Sequence, residues 1–229
     1  MQRLNCDIHG PLPAQTHSKD ANVKFQSARL SRNPTLVSIR DRHSIRAFLE
    51  RPVAEEDVLT VLHAANQAPS AHNQQTWRFV VIRGEKRMEL ANLVTARAAD
   101  FPRPSSALLR MAARSIAGAP VVIAVANTGD LIRHGTELFK TDKESARDFF
   151  RTMEIQSSAA AVENLLLAAT SLGLAAVWLG VLFLIKDDVL RFLGEPVGEF
   201  MAVIPVGYAA RPAQGPSKRA LETIVRYLG

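Results

Sequence analysis

From Leu165 to Ile185 the chain runs for 21 residues without a charged side chain. A helix needs about 20 apolar residues to cross a bilayer, so length alone allows a membrane span. The interruptions argue otherwise. Ser171 and Gly173 break the stretch, Glu163 precedes it, and Lys186, Asp187 and Asp188 follow it. Before Gly173 the pattern is helical from Ser145 to Leu172, with Val162, Leu165, Ala169 and Leu172 on one stripe. Gly173 is a natural C-terminal cap. Beyond it, residues 175–180 (AAVWLG) are strand-like. The stretch therefore reads as a buried helix followed by a buried strand, inside a core that packs helices on a sheet and outside any membrane.

A chain of 229 residues with 47% apolar and 22% charged residues can build such a core. Its one cysteine, Cys6, excludes an internal disulfide and a multi-cysteine metal site, and no metal is expected. Cys6 lies in a polar leader, residues 1–32, rich in Pro, Gln, Asn and Ser and read as loosely attached. The leader lacks the apolar run of a secretory signal, which points to a cytoplasmic protein. The folded domain is expected over residues 33–229.

Asn33-Pro34 starts a helix that runs to about Asp41, Asn capping and Pro filling the first turn. Residues 55–67 form an amphipathic helix on Val58, Leu62 and Ala65, with Glu55, Glu56 and Asp57 at its positive end. Strands are expected at 78–83, 120–126 and 201–208, and further helices at 85–99, 105–117 and 186–193. Residues 128–144 read as a long polar connection, and the tail 217–228 as partly helical. This mixture lacks strict βαβ alternation and has no G-x-G-x-x-G after a strand, so the class is α+β without a dinucleotide-binding Rossmann unit.

Charge is unevenly placed. Residues 1–51 carry nine of the 28 basic residues against four acids, so most of the formal +6 resides there. There is no zinc-finger spacing or RNA-binding signature. Two Trp and two Tyr offer few stacking platforms, so no nucleic-acid partner is expected. A phosphate-bearing ligand is the narrower explanation. Within the basic part, Arg42-His43-Ser44-Ile45-Arg46-Ala47-Phe48 sets two guanidiniums, an imidazole and a hydroxyl within five residues. Guanidinium forks match phosphate oxygens, and in an extended segment Arg42, Ser44 and Arg46 share a face. By composition alone, a solvated basic turn remains the more ordinary reading. A second cluster, Ala68-Pro69-Ser70-Ala71-His72-Asn73-Gln74-Gln75-Thr76-Trp77, joins a helix to a strand. Ser70 and Asn73 carry donors and acceptors suited to ring heteroatoms. His72 reads as a surface residue and Trp77 as a core anchor.

In this order and spacing, RHSIRAF and APSAHNQQTW resemble the nitroreductase family. So do the later LGLAAVWLG, ending at Gly180, and IPVGY followed by Lys218-Arg219. The resemblance covers about residues 34–229. It implies a nitroreductase-like α+β fold, with a central mixed or antiparallel sheet flanked by helices. It also implies an entwined homodimer with FMN at the subunit interface. By the same resemblance Arg42, His43, Ser44 and Arg46 hold the phosphate and ribityl end. Pro69, Ser70, Ala71 and Asn73 of the partner subunit meet the rings. Trp178, Leu179, Gly180 and Val181 pass near the isoalloxazine, and Lys218 and Arg219 close on the phosphate. Two departures stand out. Thr76 replaces the usual Pro before Trp77, which loosens the strand entry, and Gly180-Val181 replaces a glycine-and-acid pair.

The implied activity is FMN-dependent reduction of small acceptors such as nitroaromatics or quinones by NAD(P)H, in a ping-pong cycle. The chemistry lies on the flavin, and the sequence names no catalytic side chain. A specialised flavoenzyme of the same fold, of dehalogenase or flavin-consuming type, and a non-catalytic flavin-binding protein remain open alternatives. Phe139, Phe149 and Phe150 could line a substrate pocket or belong to the core.

Overall fold

The computed structural model describes residues 32–138, 143–211 and 215–228. The expectations for residues 1–31, Cys6 included, and for Phe139 lie outside them. At the start of α1 (Pro34–Asp41) Asn33 Oδ1 accepts from the N–H groups of Thr35 and Leu36 at 3.0 and 3.2 Å, the cap its sequence predicts. Helix α2 (Glu55–Asn66) buries Val58, Val61 and Ala65, while Leu62 is only half-buried. Strand β1 (Trp77–Ile82), α3 (Gly84–Arg97), α4 (Arg103–Gly118) and β2 (Val121–Asn127) follow, each within a few residues of its expected place.

The sheet has four strands in the order β1-β2-β4-β3, all neighbours antiparallel, where β3 is Ala175–Ala176 and β4 is Glu199–Gly207. All seven residues of β2 are buried, because the sheet is covered on both faces. Val121, Ile123 and Val125 face α2 and the long helix α6 (Lys143–Ser171), whose Ala161, Val162, Leu165 and Ala169 fill that layer. Val122, Ala124 and Ala126 face α3, α4 and α7 (Lys186–Leu193) across Leu90, Leu109, Ile116 and Val189. The charge-free stretch thus crosses the centre of this core. Leu165 and Leu166 pack from the end of α6, Gly173 turns the chain at φ +72°, and Leu174 to Val177 re-enter beside β4. Among the described residues no helix is long and apolar enough to cross a membrane.

Three segments differ from their sequence patterns. The connection expected over 128–144 contains a helix, α5 (Asp130–Leu138). Its Leu131 and Gly135 are buried, and a Cβ at Gly135 would overlap the Phe150 ring. Tertiary contact, not propensity, makes this helix. The third strand is shorter than 175–180. Val177 N–H still donates to Pro205 O at 3.3 Å and Leu179 N–H to Val203 O at 2.9 Å. Pro205 has no N–H to return, so the ladder is incomplete and the chain winds into a 3-10 helix over Gly180–Ile185. The tail holds one 3-10 turn, Leu221–Thr223, and its residues from Leu221 through Leu228 are exposed, so among the described residues none buries a face on which a helix could form. Of the phenylalanines at 149 and 150, Phe150 is core at 2% exposure and Phe149 is 53% exposed.

Candidate functional site

Helix α1 ends because Arg42 turns extended (φ −65°, ψ 120°), its N–H still donating to Ser38 O at 3.0 Å. The chain then lies along the sheet edge. Ser44 bridges Ala176 in parallel, and Ile45 N–H donates to Ala176 O at 3.0 Å. Leu49 N–H donates to Tyr208 O at 2.8 Å and Ala210 N–H to Ala47 O at 3.0 Å. Backbone pairing at both ends therefore fixes the segment as the extended strip its sequence suggested, and its parallel bridge makes the sheet edge mixed.

Arg42, His43, Ser44 and Arg46 line a cavity of about 400 Å³ with Gly215, Pro216 and Lys218. Arg42 also pairs with Glu163 at 3.3 Å from outside that lining. No carboxylate lines the cavity, and among the described residues Arg46 and Lys218 form no salt bridge. Gly215 is required here, since a Cβ would overlap the His43 imidazole. Two guanidiniums, an ammonium, a hydroxyl and an imidazole around one concavity are a donor set suited to a multiply charged oxyanion such as a phosphate ester. Arg219 is exposed next to Lys218 but does not line the cavity.

The second cluster is held by a different means. Ala71–Asn73 form a 3-10 turn, and His72, Asn73 and Gln75 all adopt positive φ, at 52°, 54° and 49°. Left-handed backbone costs a non-glycine residue about 1–2 kcal/mol, so other contacts must hold it. Gln75 N–H donates to Ser70 Oγ at 3.1 Å, Gln75 Nε2 to Asn73 Oδ1 at 3.0 Å, and Ala71 N–H to Ser157 Oγ at 3.1 Å. His72 is exposed, as expected of a surface residue. Trp77 is core, and its indole N–H donates to Asn66 Oδ1 at 3.0 Å. Thr76, expected to loosen the strand entry, is buried, and its carbonyl accepts from Thr128 N–H at 2.8 Å. The entry is pinned.

The third segment lines a different cavity from the basic strip. Trp178 is half-buried and donates to Met201 O at 3.3 Å, Leu179 is buried, Gly180 is exposed and Val181 half-buried. Trp178 and Gly180 line a cavity of about 380 Å³ with Ile155, Phe183, Phe200, Met201 and the ion pair Arg151–Glu199. Within one chain, then, the cavity of the basic strip is lined neither by residues 69–73 nor by residues 178–181.

A buried polar group escaped the sequence reading. Glu154 on α6 is fully buried, and its Oε1 accepts from Leu131 N–H at 2.8 Å, at the start of α5. Burial pushes its carboxyl up from the usual range. The N–H groups of Leu131 and Ile132 oppose that shift, and the charges of Asp130 and Glu199 add to it. Its signal was present: Glu154 stands one turn after Phe150 and one turn before Ser158, an acid within a buried stripe.

The family profile described as "Nitroreductase family" matches residues 39–208, most of the chain and the whole sheet. The chain belongs to the nitroreductase family. A "Putative NADH dehydrogenase/NAD(P)H nitroreductase" of Methanothermobacter thermautotrophicus is 33% identical over 198 residues, covering 84% of this chain and 85% of that protein. A "putative nitroreductase in complex with fmn" from Desulfovibrio desulfuricans is 30% identical with a TM-score of 0.65, covering 86% of this chain and 98% of that one. The nitroreductase CinD of Lactococcus lactis in complex with chloramphenicol is 19% identical with a TM-score of 0.70 over 85% and 99% of the two chains, a likeness of fold. The nitroreductase fold expected from RHSIRAF and APSAHNQQTW is therefore present, with its sheet antiparallel but for the bridge at Ser44.

Proposed function

We propose that this nitroreductase-family chain is an FMN-dependent, NAD(P)H-driven oxidoreductase that reduces small acceptors such as nitroaromatics or quinones. It works as a homodimer through a ping-pong cycle. The observation that carries the reading is the cavity of Arg42, His43, Ser44, Arg46 and Lys218. Its cations meet no lining carboxylate, and its strip is fixed by backbone pairing to the sheet edge. Such preorganisation spares the ordering cost that weakens phosphate binding by mobile side chains.

In this reading Arg42, Arg46 and Lys218 neutralise the flavin's terminal phosphate, Ser44 donates to it, and Arg219 adds charge from outside. Pro69, Ser70, Ala71 and Asn73 of the partner subunit meet the ring system. That they do not line the basic cavity within one chain is in keeping with a site assembled from two chains. Trp178 to Val181 face the same rings, and Gly180 offers exposed backbone without a side chain to hold a ring off. FMN held by these residues would supply the redox chemistry, taking hydride from a reduced nicotinamide and giving electrons to the acceptor. The protein's part is to fix the cofactor and to leave one face open to two successive planar partners.

Visible absorption of the purified protein, titrated anaerobically with NADH and NADPH, tests this. A yellow protein that bleaches with either nicotinamide and recovers with a nitroaromatic or quinone fits the reading. A flavin band that neither nicotinamide bleaches would make the chain a flavin-binding module, and consumption of the flavin itself would make it a specialised enzyme of this fold. Colourless protein that takes up no added FMN contradicts the reading.

A further inference from the structure

Helix α6 passes behind the strained 70–75 loop, and one stretch of it reaches three separate segments. Ser157 Oγ donates to Met153 O at 2.7 Å within the helix and accepts from Ala71 N–H at 3.1 Å. One residue on, Ser158 Oγ donates to Asn127 Oδ1 at the end of β2. One turn back, Glu154 accepts from Leu131 N–H at the start of α5. Glu154, Ser158 and Asn127 are all fully buried, and Ser157 nearly so. The contacts converge sideways as well: Leu131, Ala146 and Phe150 form a small core against which Ala71, Ile132 and Met153 pack.

This arrangement is expensive for folding. A fully buried carboxyl must shed its water, and Asn127 Nδ2 has no hydrogen-bond partner among the described residues. A leucine in place of Glu154 and an apolar residue in place of Asn127 would fill the same space without those costs. What the polar groups supply is geometry, since directed hydrogen bonds fix a backbone more narrowly than apolar contact does. The Ala71 N–H that Ser157 fixes lies at the head of the turn where His72 and Asn73 hold left-handed conformations. Violations of local preference of this kind concentrate at functional sites.

We propose that Glu154 and Ser157 are positioning residues, which lock the 70–75 loop and helix α5 to one turn of α6 and so set the ring-binding half of the site. Ser157 acts on the loop directly through Ala71. Glu154 acts at one remove: it anchors the start of α5, whose Leu131 belongs to the small core against which Ala71 packs. The inference rests on the reading that the loop meets the flavin rings in the partner subunit.

The test compares Ser157→Ala and Glu154→Leu with the conservative variants Ser157→Thr and Glu154→Gln, which keep an accepting oxygen at each place. Two readouts are needed. The first is amide hydrogen exchange of the flavin-free protein at Ala71 and Leu131. Ser157→Ala is expected to speed exchange at Ala71 by about tenfold, the factor set by about 1.4 kcal/mol, and Glu154→Leu to do the same at Leu131. The second is turnover at saturating FMN. The disruptive pair should lower kcat by about 10- to 100-fold, the cost of a misplaced reacting partner, with little change in the KM for nicotinamide. The conservative pair should return to within a few-fold of the parent. Parental exchange and parental kcat in both disruptive variants would overturn the proposal, as would failure of both conservative variants to rescue. Should the larger change at 154 prevent folding, Ser157→Ala, a loss of one oxygen, still decides by the same two readouts. If the parent protein binds no flavin, the reading of function fails on its own, and the exchange rates alone decide whether these residues hold the loop.

Discussion

The strip from Arg42 to Phe48 and the loop from Ser70 to Thr76 both present polar side chains, yet they are held in opposite ways. The strip adopts relaxed, extended backbone and gains its place from main-chain bonds to Ala176, Tyr208 and Ala210. Apart from Arg42, which pairs with Glu163, its polar side chains are not spent in holding it. The loop adopts left-handed backbone at three non-glycine residues, and its own side chains, Ser70, Asn73 and Gln75, are partly consumed in holding it. It also borrows Ser157 from a helix 86 residues away in sequence. The lesson is that both surfaces need remote support, but the charge-matching one receives it through main-chain bonds and the shaped one through side chains.

The largest effect should come from removing the strip's charge. Arg42→Ala combined with Arg46→Ala deletes two charge-assisted partners worth about 1.5–3 kcal/mol each. FMN affinity should fall by roughly a hundredfold or more, and the protein should emerge from desalting colourless. A double variant that stays fully yellow would place the phosphate elsewhere. A smaller loss is expected from Gly215→Ala, because the new methyl must displace His43 and with it the strip's first residues. Affinity should fall about tenfold, equivalent to about 1.4 kcal/mol, with the melting temperature little changed. Unaltered FMN titration in that variant would mean that the approach of residue 215 to the strip does not shape the site.

The loop should answer differently to substitution. Gln75→Gly relieves left-handed strain worth about 1 kcal/mol but gives up the Gln75–Asn73 side-chain contact. The net gain in stability should be a fraction of that strain, read as a small rise in melting temperature. A fall of several degrees would show that the contact outweighs the strain. The smallest effect concerns Glu154. Its folded carboxyl is raised, so the folded state holds the proton more firmly than the unfolded one. Its stabilising contribution is whole below the unfolded value of about 4.3 and is lost as pH rises through the folded value. Melting temperatures of the parent should therefore decline relative to Glu154→Gln as pH rises out of the acid range. Parallel profiles would contradict the raised carboxyl.

This contrast also explains what could be read from the sequence. Asn33-Pro34, Gly173 and Gly194 punctuate helices by local rules, and each acts where those rules place it. The strip was legible because its chemistry is linear: Arg42, Ser44 and Arg46 alternate along one extended segment. Gly215 was not, because its need for a missing Cβ arises only when the chain returns to His43 some 170 residues later. Helix α5 was hidden because Gly135 takes a buried place on its inner face, and a glycine in sequence reads as a breaker. The third strand was over-read because the limit on its ladder sits in another strand, at Pro205. Glu154 stood one helical turn from Phe150 and from Ser158, but its burial and its partner at Leu131 could only be seen in three dimensions.

The central claim is that each site takes its basic strip from one chain and its Pro69–Asn73 loop from the other. Mixing two defective proteins tests it most directly: a strip variant, Arg42→Ala with Arg46→Ala, and a loop variant, Ser70→Trp with Asn73→Arg, co-refolded in equal amounts. Sites shared between chains predict that mixed dimers regain one intact site and bind up to one FMN per dimer, although each parent variant alone binds none. If the mixture binds no more flavin than its separate components, the two halves belong to one chain and the account is wrong.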